Sequence, residues 1–151
     1  MKICFTASSG GHLEEIICLR SLCEGRESFL ITEECGDVKT PWNEDVYFVP
    51  QINRKEKGFM LHFVKLFFKV SKILKVEKPD YIISTGALAT FPVCVIGKLR
   101  GVKIIYIESF ARVDDASMTG KLMYPIADLF LVQWEEMLKI FPKAIYAGGI
   151  F

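Results

Sequence analysis

The sequence lacks the patterns that mark several common classes of protein. Its five cysteines are scattered, odd in number and without a C-x-x-C pair, which argues against a disulfide framework and a structural zinc site and fits a reducing cytoplasm. The longest uncharged stretch, residues 81–97, is shorter than a membrane-spanning helix and is interrupted by Pro92. Residues 1–7 carry one lysine and a short apolar run, which predicts a strand rather than a signal peptide.

An excess of one charge is also missing, because the formal net charge of the 151 residues is +1 at pH 7. The chain as a whole is therefore not a polyanion binder. With 51% hydrophobic and 25% charged residues it has the composition of an ordinary globular protein. This length supports one hydrophobic core, so we expect residues 1–151 to form a single domain.

The sequence does contain a regular alternation of short apolar runs and longer helical patterns. The predicted strands cover residues 2–7, 29–32, 46–49, 81–84, 103–107, 128–132 and 144–146. The predicted helices cover residues 13–23, 59–76, 88–100 and 135–141, with a loop and a helix in 111–126. Residues 33–44 form the most loop-like segment. Apolar runs without strict alternation indicate strands covered on both faces, so we predict an α/β fold with a Rossmann-like, doubly wound and mainly parallel sheet.

The first of three unusual loops follows the first predicted strand, at the strand end where ligands bind in such sheets. It contains Ser9, Gly10, Gly11 and His12. The glycines permit close approach of a ligand, and the helix N-terminus behind them offers unpaired N–H groups, which suits a phosphate or diphosphate. The spacing matches neither the dinucleotide fingerprint nor a P-loop. The helix dipole favours a neutral His12; the alternative is a tight turn with His12 as an exposed capping residue.

Two further loops follow the fourth and fifth predicted strands. The first contains Thr85 and Gly86, which suit either an anion-receiving turn or a plain helix cap. The second begins with Glu108 and Ser109, and a carboxylate at the very end of a central strand is better placed for a site than for structure. Arg112 either pairs with Glu108 or binds a diphosphate through its planar guanidinium group. Because all three loops lie at one sheet edge, we expect them to form one site.

The segment 54–78 concentrates positive charge that the neutral total hides, with eight Lys or Arg and two Glu. Its helical pattern gives an apolar stripe that is sufficient to dock the helix on the sheet. Other apolar residues fall outside that stripe, among lysines: Leu61, Val64, Lys65, Phe68, Lys69, Lys72 and Lys75. This mixture predicts either an interfacial helix on an anionic membrane or a docked helix with a solvated lysine face. Nucleic acid is disfavoured, because no nucleic-acid-binding motif is present.

Taken together, these segments resemble the PssD/CpsF family of bacterial exopolysaccharide and capsule synthesis. The resemblance rests on the order and spacing of the segments and covers nearly the whole chain. The segments are Ser9 to His12, Ser84 to Gly86, Tyr106 to Arg112, Ser117 to Leu122, Asp128 to Trp134 and Gly148 to Phe151. The family is similar to the membrane-anchoring subunit of the eukaryotic dolichol-linked GlcNAc transferase and to the N-terminal half of MurG.

The resemblance implies an inverting GT-B glycosyltransferase divided between two polypeptides, with this chain as the N-terminal, acceptor-binding half. The acceptor would be a lipid-diphosphate-linked saccharide, and a PssE-like partner would bind the UDP-sugar. The length agrees, since 151 residues make one Rossmann layer where a GT-B enzyme needs two. Eukaryotic members have an N-terminal transmembrane helix, whereas here a predicted strand begins at once. We therefore expect peripheral attachment to the cytoplasmic face of the cell membrane through the basic helix.

The resemblance also implies roles for individual residues. The acceptor and its phosphates would be bound by Ser9, Gly10, Gly11, Thr85, Gly86, Ser109 and Arg112. An inverting transfer needs one base to take the acceptor hydroxyl proton, and His12 and Glu108 are both candidates. We expect no metal and no cofactor. Galactose, glucuronic acid and GlcNAc are all compatible with the resemblance. The competing hypotheses are a non-catalytic protein that recruits a catalytic partner to the membrane and a free-standing phosphate-binding domain.

Overall fold

The chain forms a seven-stranded sheet in which every neighbouring pair of strands is parallel. The computed structural model describes residues 1–34, 42, 45–53 and 56–151. The strands are β1 (Lys2–Ala7), β2 (Glu27–Glu33), β3 (Asp45–Val49), β4 (Tyr81–Gly86), β5 (Lys103–Ile107), β6 (Leu129–Val132) and β7 (Ile145–Tyr146). Their order across the sheet is β3-β2-β1-β4-β5-β6-β7.

Helices cover both faces of this sheet. The α-helices are α1 (Gly11–Cys18), α2 (Phe59–Glu77), α3 (Phe91–Leu99) and α4 (Met118–Met123). On one face Leu13 and Ile16 of α1 pack against Phe5 and Ile83 of the sheet. On the other face lies a larger core, to which α2, α3 and α4 contribute Leu66, Val70, Val93, Cys94 and Met123. The predicted α/β, doubly wound and parallel sheet is confirmed.

Several predicted boundaries shift for local reasons. The helix predicted over residues 13–23 is α1 followed by a 3₁₀ helix, Arg20–Cys23, and that predicted over residues 88–100 is a 3₁₀ helix, Leu88–Thr90, followed by α3. Pro92 stands in the first turn of α3, where its missing N–H leaves no bond unmade. The last predicted helix, residues 135–141, is a 3₁₀ helix, Glu135–Lys139.

The segment predicted as a loop, residues 33–44, is only partly described. Glu33 belongs to β2, so the loop prediction is wrong at this residue. Trp42 is buried, and its ring centroid lies 4.9 Å from that of Phe5. Residues 35–41, 43 and 44 lie outside the described residues.

The strand order reverses direction at β1, and this reversal locates the ligand-binding edge. From β1 the chain first runs outward to β2 and β3, and it then returns to β4 on the other side of β1. The two crossovers leave a crevice above the carboxyl ends of β1 and β4, which is where doubly wound folds bind their ligands. The loops after β1 and β4 border this crevice, and the loop after β5 lies beside them.

Candidate functional site

The loops after β1 and β4 are joined directly by hydrogen bonds. The Ser8 N–H donates to the Gly86 carbonyl oxygen at 2.8 Å, and the Ala87 N–H donates to Ser8 Oγ at 3.2 Å. The Thr85 hydroxyl donates to the His12 carbonyl oxygen at 2.7 Å. Two of the three predicted loops are therefore one connected unit at the point where the strand order reverses.

The glycine turn, Gly10 and Gly11, lies at the start of α1 and is exposed. Gly10 has a φ of +79°, in the left-handed region that favours glycine, and its carbonyl oxygen accepts hydrogen bonds from Leu13 and Glu14. Gly10 and Gly11 are exposed, and a Cβ at either would meet open space. The first N–H groups of an α-helix have no intrahelical acceptor. The turn is therefore open to a ligand, and its role as a phosphate site stays a prediction.

Glu33 braces this turn from the end of β2. Its Oε2 accepts the Ser9 N–H at 3.3 Å and its Oε1 accepts the Ile52 N–H at 3.0 Å. The backbone N–H of Ser9, one of the predicted phosphate ligands, thus already has an acceptor. Glu33 directly follows the strand predicted over residues 29–32, and this position at a strand end was the signal that could have identified it as a site residue.

His12 lies in the first turn of α1 with its ring against the β4 end. A Cβ at Gly86 would lie 3.3 Å from His12 Cε1 and 3.3 Å from the Tyr106 hydroxyl, so only glycine fits here without displacement. Gly86 therefore lies directly against the His12 ring, and its predicted role in the acceptor groove stays a prediction. The Nδ1 atom of His12 is buried and has no hydrogen-bond partner among the described residues.

Burial lowers the pKa of His12, the nearby Thr85 backbone and the charge of Glu33 act in the opposite direction, and the charge of Arg112 adds to the lowering. Burial is the largest of these causes. The direction agrees with the predicted neutral imidazole, which can accept a proton, and the role of His12 as a base stays a prediction.

Glu108 is enclosed rather than open to the crevice. Its side chain is 1% exposed, and its Oε1 accepts the Ser109 N–H at 3.1 Å. Its Oε2 lies against Gly120 of α4, where a Cβ would collide with the carboxylate. Burial raises the pKa of Glu108, and hydrogen bonds to Ser117 and Ser109 oppose that rise. This position holds the β5 end against α4.

Arg112 makes its ion pair with Asp115, at 2.6 Å, and not with Glu108. Its side chain is 43% exposed, so the guanidinium remains accessible at the edge of the site. The backbone N–H of Arg112 donates to the Ser109 carbonyl oxygen at 3.0 Å, which closes a turn between the two residues.

The remaining predicted ligands use their hydroxyl groups inside the protein. Thr85 is fully buried and bonded to His12, as described above. Ser109 Oγ donates to Glu15 Oε1 at 3.1 Å. Their predicted role as phosphate ligands stays a prediction, and the contacts in the structure connect the three loops to one another.

Glu15 is a site residue that the sequence reasoning missed. It is 3% exposed, lies one turn after His12 on the same face of α1, and reaches the loop after β5. The spacing of three residues between His12 and Glu15 was the signal that could have found it, because residues i and i+3 share a helix face.

The surface of α2 away from the core carries the predicted mixture of apolar and basic side chains. The stripe of Phe59, Phe63, Leu66, Phe67, Val70, Ile73 and Leu74 is buried or half-buried, as predicted. The α2 outer face is defined here as Leu61, Val64, Lys65, Phe68, Lys69, Lys72 and Lys75, all of which are exposed. Phe68, for example, is 69% exposed. No helix within the described residues is long and apolar enough to cross a membrane.

Several solved structures share this fold. The crystal structure of Acinetobacter baumannii MurG superposes with a TM-score of 0.75 at 15% identity, over 90% of this chain and 43% of that one. A Staphylococcus aureus MnaA–UDP structure superposes with a TM-score of 0.76 at 15% identity, over 99% of this chain and 44% of that one. At this identity the likeness shows the fold alone.

Sequence relatives are more informative. Mouse "UDP-N-acetylglucosamine transferase subunit ALG14" is 33% identical over 94 residues, which are 58% of this chain and 43% of that protein. The fission yeast (Schizosaccharomyces pombe) subunit of the same name is 40% identical over 75 residues, or 46% of this chain and 36% of that protein. The chain thus matches less than half the length of either relative. The profile of the family described as "Oligosaccharide biosynthesis protein Alg14 like" matches residues 56–150, and the chain therefore belongs to this family.

Proposed function

We propose that the chain is one subunit of a two-chain, inverting glycosyltransferase that transfers a sugar from a UDP-sugar to a lipid-diphosphate-linked saccharide. In this proposal the chain supplies the acceptor site and the attachment to the membrane, and a PssE-like partner binds the donor. The observation that carries the proposal is the joining of three strand-end loops around His12, in a chain that belongs to an oligosaccharide biosynthesis family.

The acceptor's diphosphate is proposed to lie at the first turn of α1. Gly10 and Gly11 leave the backbone open there, and the helix dipole favours an anion at this end. The half-exposed Arg112 is the proposed cation for the same phosphates, since its guanidinium can form two parallel hydrogen bonds with them. Ser9, Thr85 and Ser109 would shape this groove through the contacts described above.

His12 is the proposed general base. It would take the proton of the acceptor hydroxyl while that oxygen forms a bond to the sugar's anomeric carbon, and the bond from this carbon to the UDP oxygen breaks on the opposite side. UDP leaves with the bonding electron pair. Support comes from the place of His12 in the first turn of α1, against Gly86 at the β4 end, and from its lowered pKa. Glu108 is the weaker candidate, because Gly120 and Ser109 enclose its carboxylate.

The identity of the sugar that the UDP donor carries is also a proposal. The relatives are named as UDP-N-acetylglucosamine transferase subunits, so UDP-GlcNAc is the first donor to test, followed by UDP-galactose and UDP-glucuronic acid. The resemblance to PssD/CpsF proteins predicts a role in exopolysaccharide or capsule synthesis. The family description names only oligosaccharide biosynthesis, which is compatible with other saccharide products as well.

The α2 outer face is proposed to hold the complex on an anionic membrane surface at the cytoplasmic side. Leu61, Val64 and Phe68 would enter the interfacial layer, and the four lysines would meet the lipid headgroups. Each lysine near an anionic leaflet contributes about 1 kcal/mol, so four make attachment reversible but substantial.

The proposal is tested by reconstituting the chain with its donor-binding partner on vesicles that contain the lipid-diphosphate acceptor, and by measuring incorporation of radiolabelled sugar. His12→Ala is expected to abolish most of the transfer. The matched control is His62→Ala, because His62 is the only other histidine and is exposed on α2. Equal transfer by wild type and His12→Ala would contradict the catalytic role.

A second function is favoured by a separate observation. The side chains of Thr85, Glu108 and Ser109 are all used in internal contacts, whereas the α2 outer face is open. A non-catalytic protein that recruits its partner to the membrane would have these properties. If His12→Ala and Glu108→Ala both retain full turnover with intact partner binding, the recruiting function replaces the catalytic one.

A further inference from the structure

We infer that Glu15 is a positioning residue, which holds the loop after β5 in register with the first turn of α1 and so sets His12 relative to Arg112. This inference deepens the proposed function and rests on it for its effect on turnover. The structural part, the fixing of the loop by Glu15, stands on contacts that do not depend on the reaction.

Glu15 bridges two elements that are not sheet neighbours. One carboxylate oxygen, Oε1, accepts the Ser109 hydroxyl at 3.1 Å and the Phe110 N–H at 2.9 Å. Helix α1 follows β1, the loop follows β5, and β4 lies between these strands. The Glu15 carboxylate therefore links α1 to the loop after β5, two elements that no strand pairing connects directly.

The loop that Glu15 holds carries the other groups of the site. The Ser109 N–H donates to Glu108, and the Arg112 N–H donates to the Ser109 carbonyl oxygen. On the far side, Trp134 Nε1 donates to the Phe110 carbonyl oxygen at 2.7 Å, and the two rings lie 4.9 Å apart. A shift of Phe110 would therefore move Glu108 and Arg112 together.

A carboxylate at this position is costly for folding alone. Glu15 has no cation within ion-pair distance among the described residues, and its Oε2 is buried without a partner there. Burial raises the pKa of Glu15, hydrogen bonds from Phe110 and Ser109 oppose the rise, and the nearby charge of Glu108 adds to it. What the side chain does provide is one acceptor oxygen for two donors of the loop.

Comparing Glu15→Gln with Glu15→Ala distinguishes a positioning role of Glu15 from a role in acid–base chemistry. In Glu15→Gln the amide oxygen can still accept both bonds, although the charge is lost. In Glu15→Ala both donors lose their acceptor. The matched control is Glu14→Ala, because Glu14 is the preceding residue of α1 and is exposed.

The first readout is steady-state transfer by the reconstituted pair with radiolabelled UDP-GlcNAc, or whichever UDP-sugar supports transfer. Glu15→Ala is expected to lower kcat by about 10- to 100-fold, because a displacement of about 1 Å at a reacting group can cost about 100-fold. The KM for the UDP-sugar should change little, because the partner binds the donor. Glu15→Gln and Glu14→Ala should stay within about 3-fold of wild type.

The second readout needs no activity and distinguishes failure of this inference from failure of the proposed function. Amide hydrogen exchange of the ¹⁵N-labelled chain should show a protected Phe110 N–H in wild type, Glu15→Gln and Glu14→Ala, and a rapidly exchanging one in Glu15→Ala. If the protection follows this pattern but no variant affects transfer, the loop contact is real and the proposed reaction site is wrong.

Two results would overturn the inference. One is unchanged Phe110 protection and unchanged kcat in Glu15→Ala. The other is a loss in Glu15→Gln as large as in Glu15→Ala, which would mean that the charge itself is required. If Glu15→Ala does not fold, Ser109→Ala replaces it, because it removes one of the two donors and should give a smaller loss of kcat; wild-type kcat in Ser109→Ala would then contradict the inference.

Discussion

The crevice at the ends of β1, β4 and β5 differs from the α2 outer face in how its side chains are held. In the crevice hydrogen bonds join the loops, as between the Thr85 hydroxyl and the His12 carbonyl oxygen or between the Ser109 hydroxyl and Glu15. On the α2 outer face, large apolar side chains such as Leu61 and Phe68 are exposed beside lysines. Hydrogen bonds hold the crevice residues in defined positions, which catalysis requires. The α2 outer face instead presents exposed side chains, which suits adhesion to a fluid lipid surface.

The largest expected effect belongs to the crevice. We expect His12→Ala to lower kcat of the reconstituted pair by about 10²- to 10⁴-fold, the usual contribution of a general base. Because burial lowers the pKa of His12 below its usual 6.5, wild-type activity should persist as the pH falls to 6.5 and should decline only below it. A pH–rate profile with its acidic limb above pH 6.5 would contradict this assignment.

The next largest effect belongs to the α2 outer face. Changing Lys65, Lys69, Lys72 and Lys75 together to Gln removes about 4 kcal/mol of electrostatic attraction, or roughly 10³-fold in partitioning to anionic vesicles. Liposome flotation measures the change. Turnover on a short-chain, water-soluble acceptor should remain at the wild-type level, which separates adhesion from chemistry.

The control for this change replaces lysines elsewhere, and Lys121, Lys139 and Lys143 are all exposed outside α2. Their replacement by Gln should affect flotation much less. Equal losses in the two variants would mean that net charge, rather than the α2 outer face, determines binding to the vesicles.

A third expected effect concerns how tightly the crevice border is packed. Gly120→Ala places a methyl group against the buried carboxylate of Glu108 and should lower the free energy of unfolding by about 1–3 kcal/mol. Urea denaturation measures it. Gly11→Ala, where a Cβ meets open space, is the matched control and should be nearly neutral. A neutral Gly120→Ala would show that Glu108 is free to move.

The smallest expected effect is a change in the pH dependence of stability. The raised pKa of Glu15 means that the native state binds more protons than the unfolded state between the usual pKa of 4.5 and the native value. The free energy of unfolding should therefore fall as the pH rises through this window. Glu15→Gln cannot titrate, so its stability relative to wild type should increase with pH there. A constant difference between the two from pH 4 to pH 8 would be inconsistent with the raised pKa.

The sequence was sufficient to predict the sheet because its information is local. The apolar runs at residues 2–7 and 103–107 match β1 and β5 to the residue, and the stripe on α2 lies on the core as predicted. The glycine turn and the exposed apolar residues of α2 were also predictable, because each depends on neighbours in sequence.

The missing parts of the site were long-range. Glu15 meets Phe110 across 95 positions of the chain, and Glu33 meets Ser9 across 24. No periodicity encodes such contacts. For the same reason the sequence could not show that Gly120 encloses Glu108, because this contact depends on the packing of α4 against the β5 end. The pairing of Arg112 with Asp115 is a local contact between residues three positions apart, and it was missed because only Glu108 and a diphosphate were considered as partners of Arg112.

This chain is proposed to form one half of a catalytic cleft, and sugar transfer by the purified chain with and without its donor-binding partner tests that proposal. Both samples would contain the lipid-diphosphate acceptor in anionic vesicles and radiolabelled UDP-sugar. We predict no labelled lipid from the chain alone and sustained, His12-dependent labelling once the partner is added. Sustained transfer by the chain alone would contradict the account.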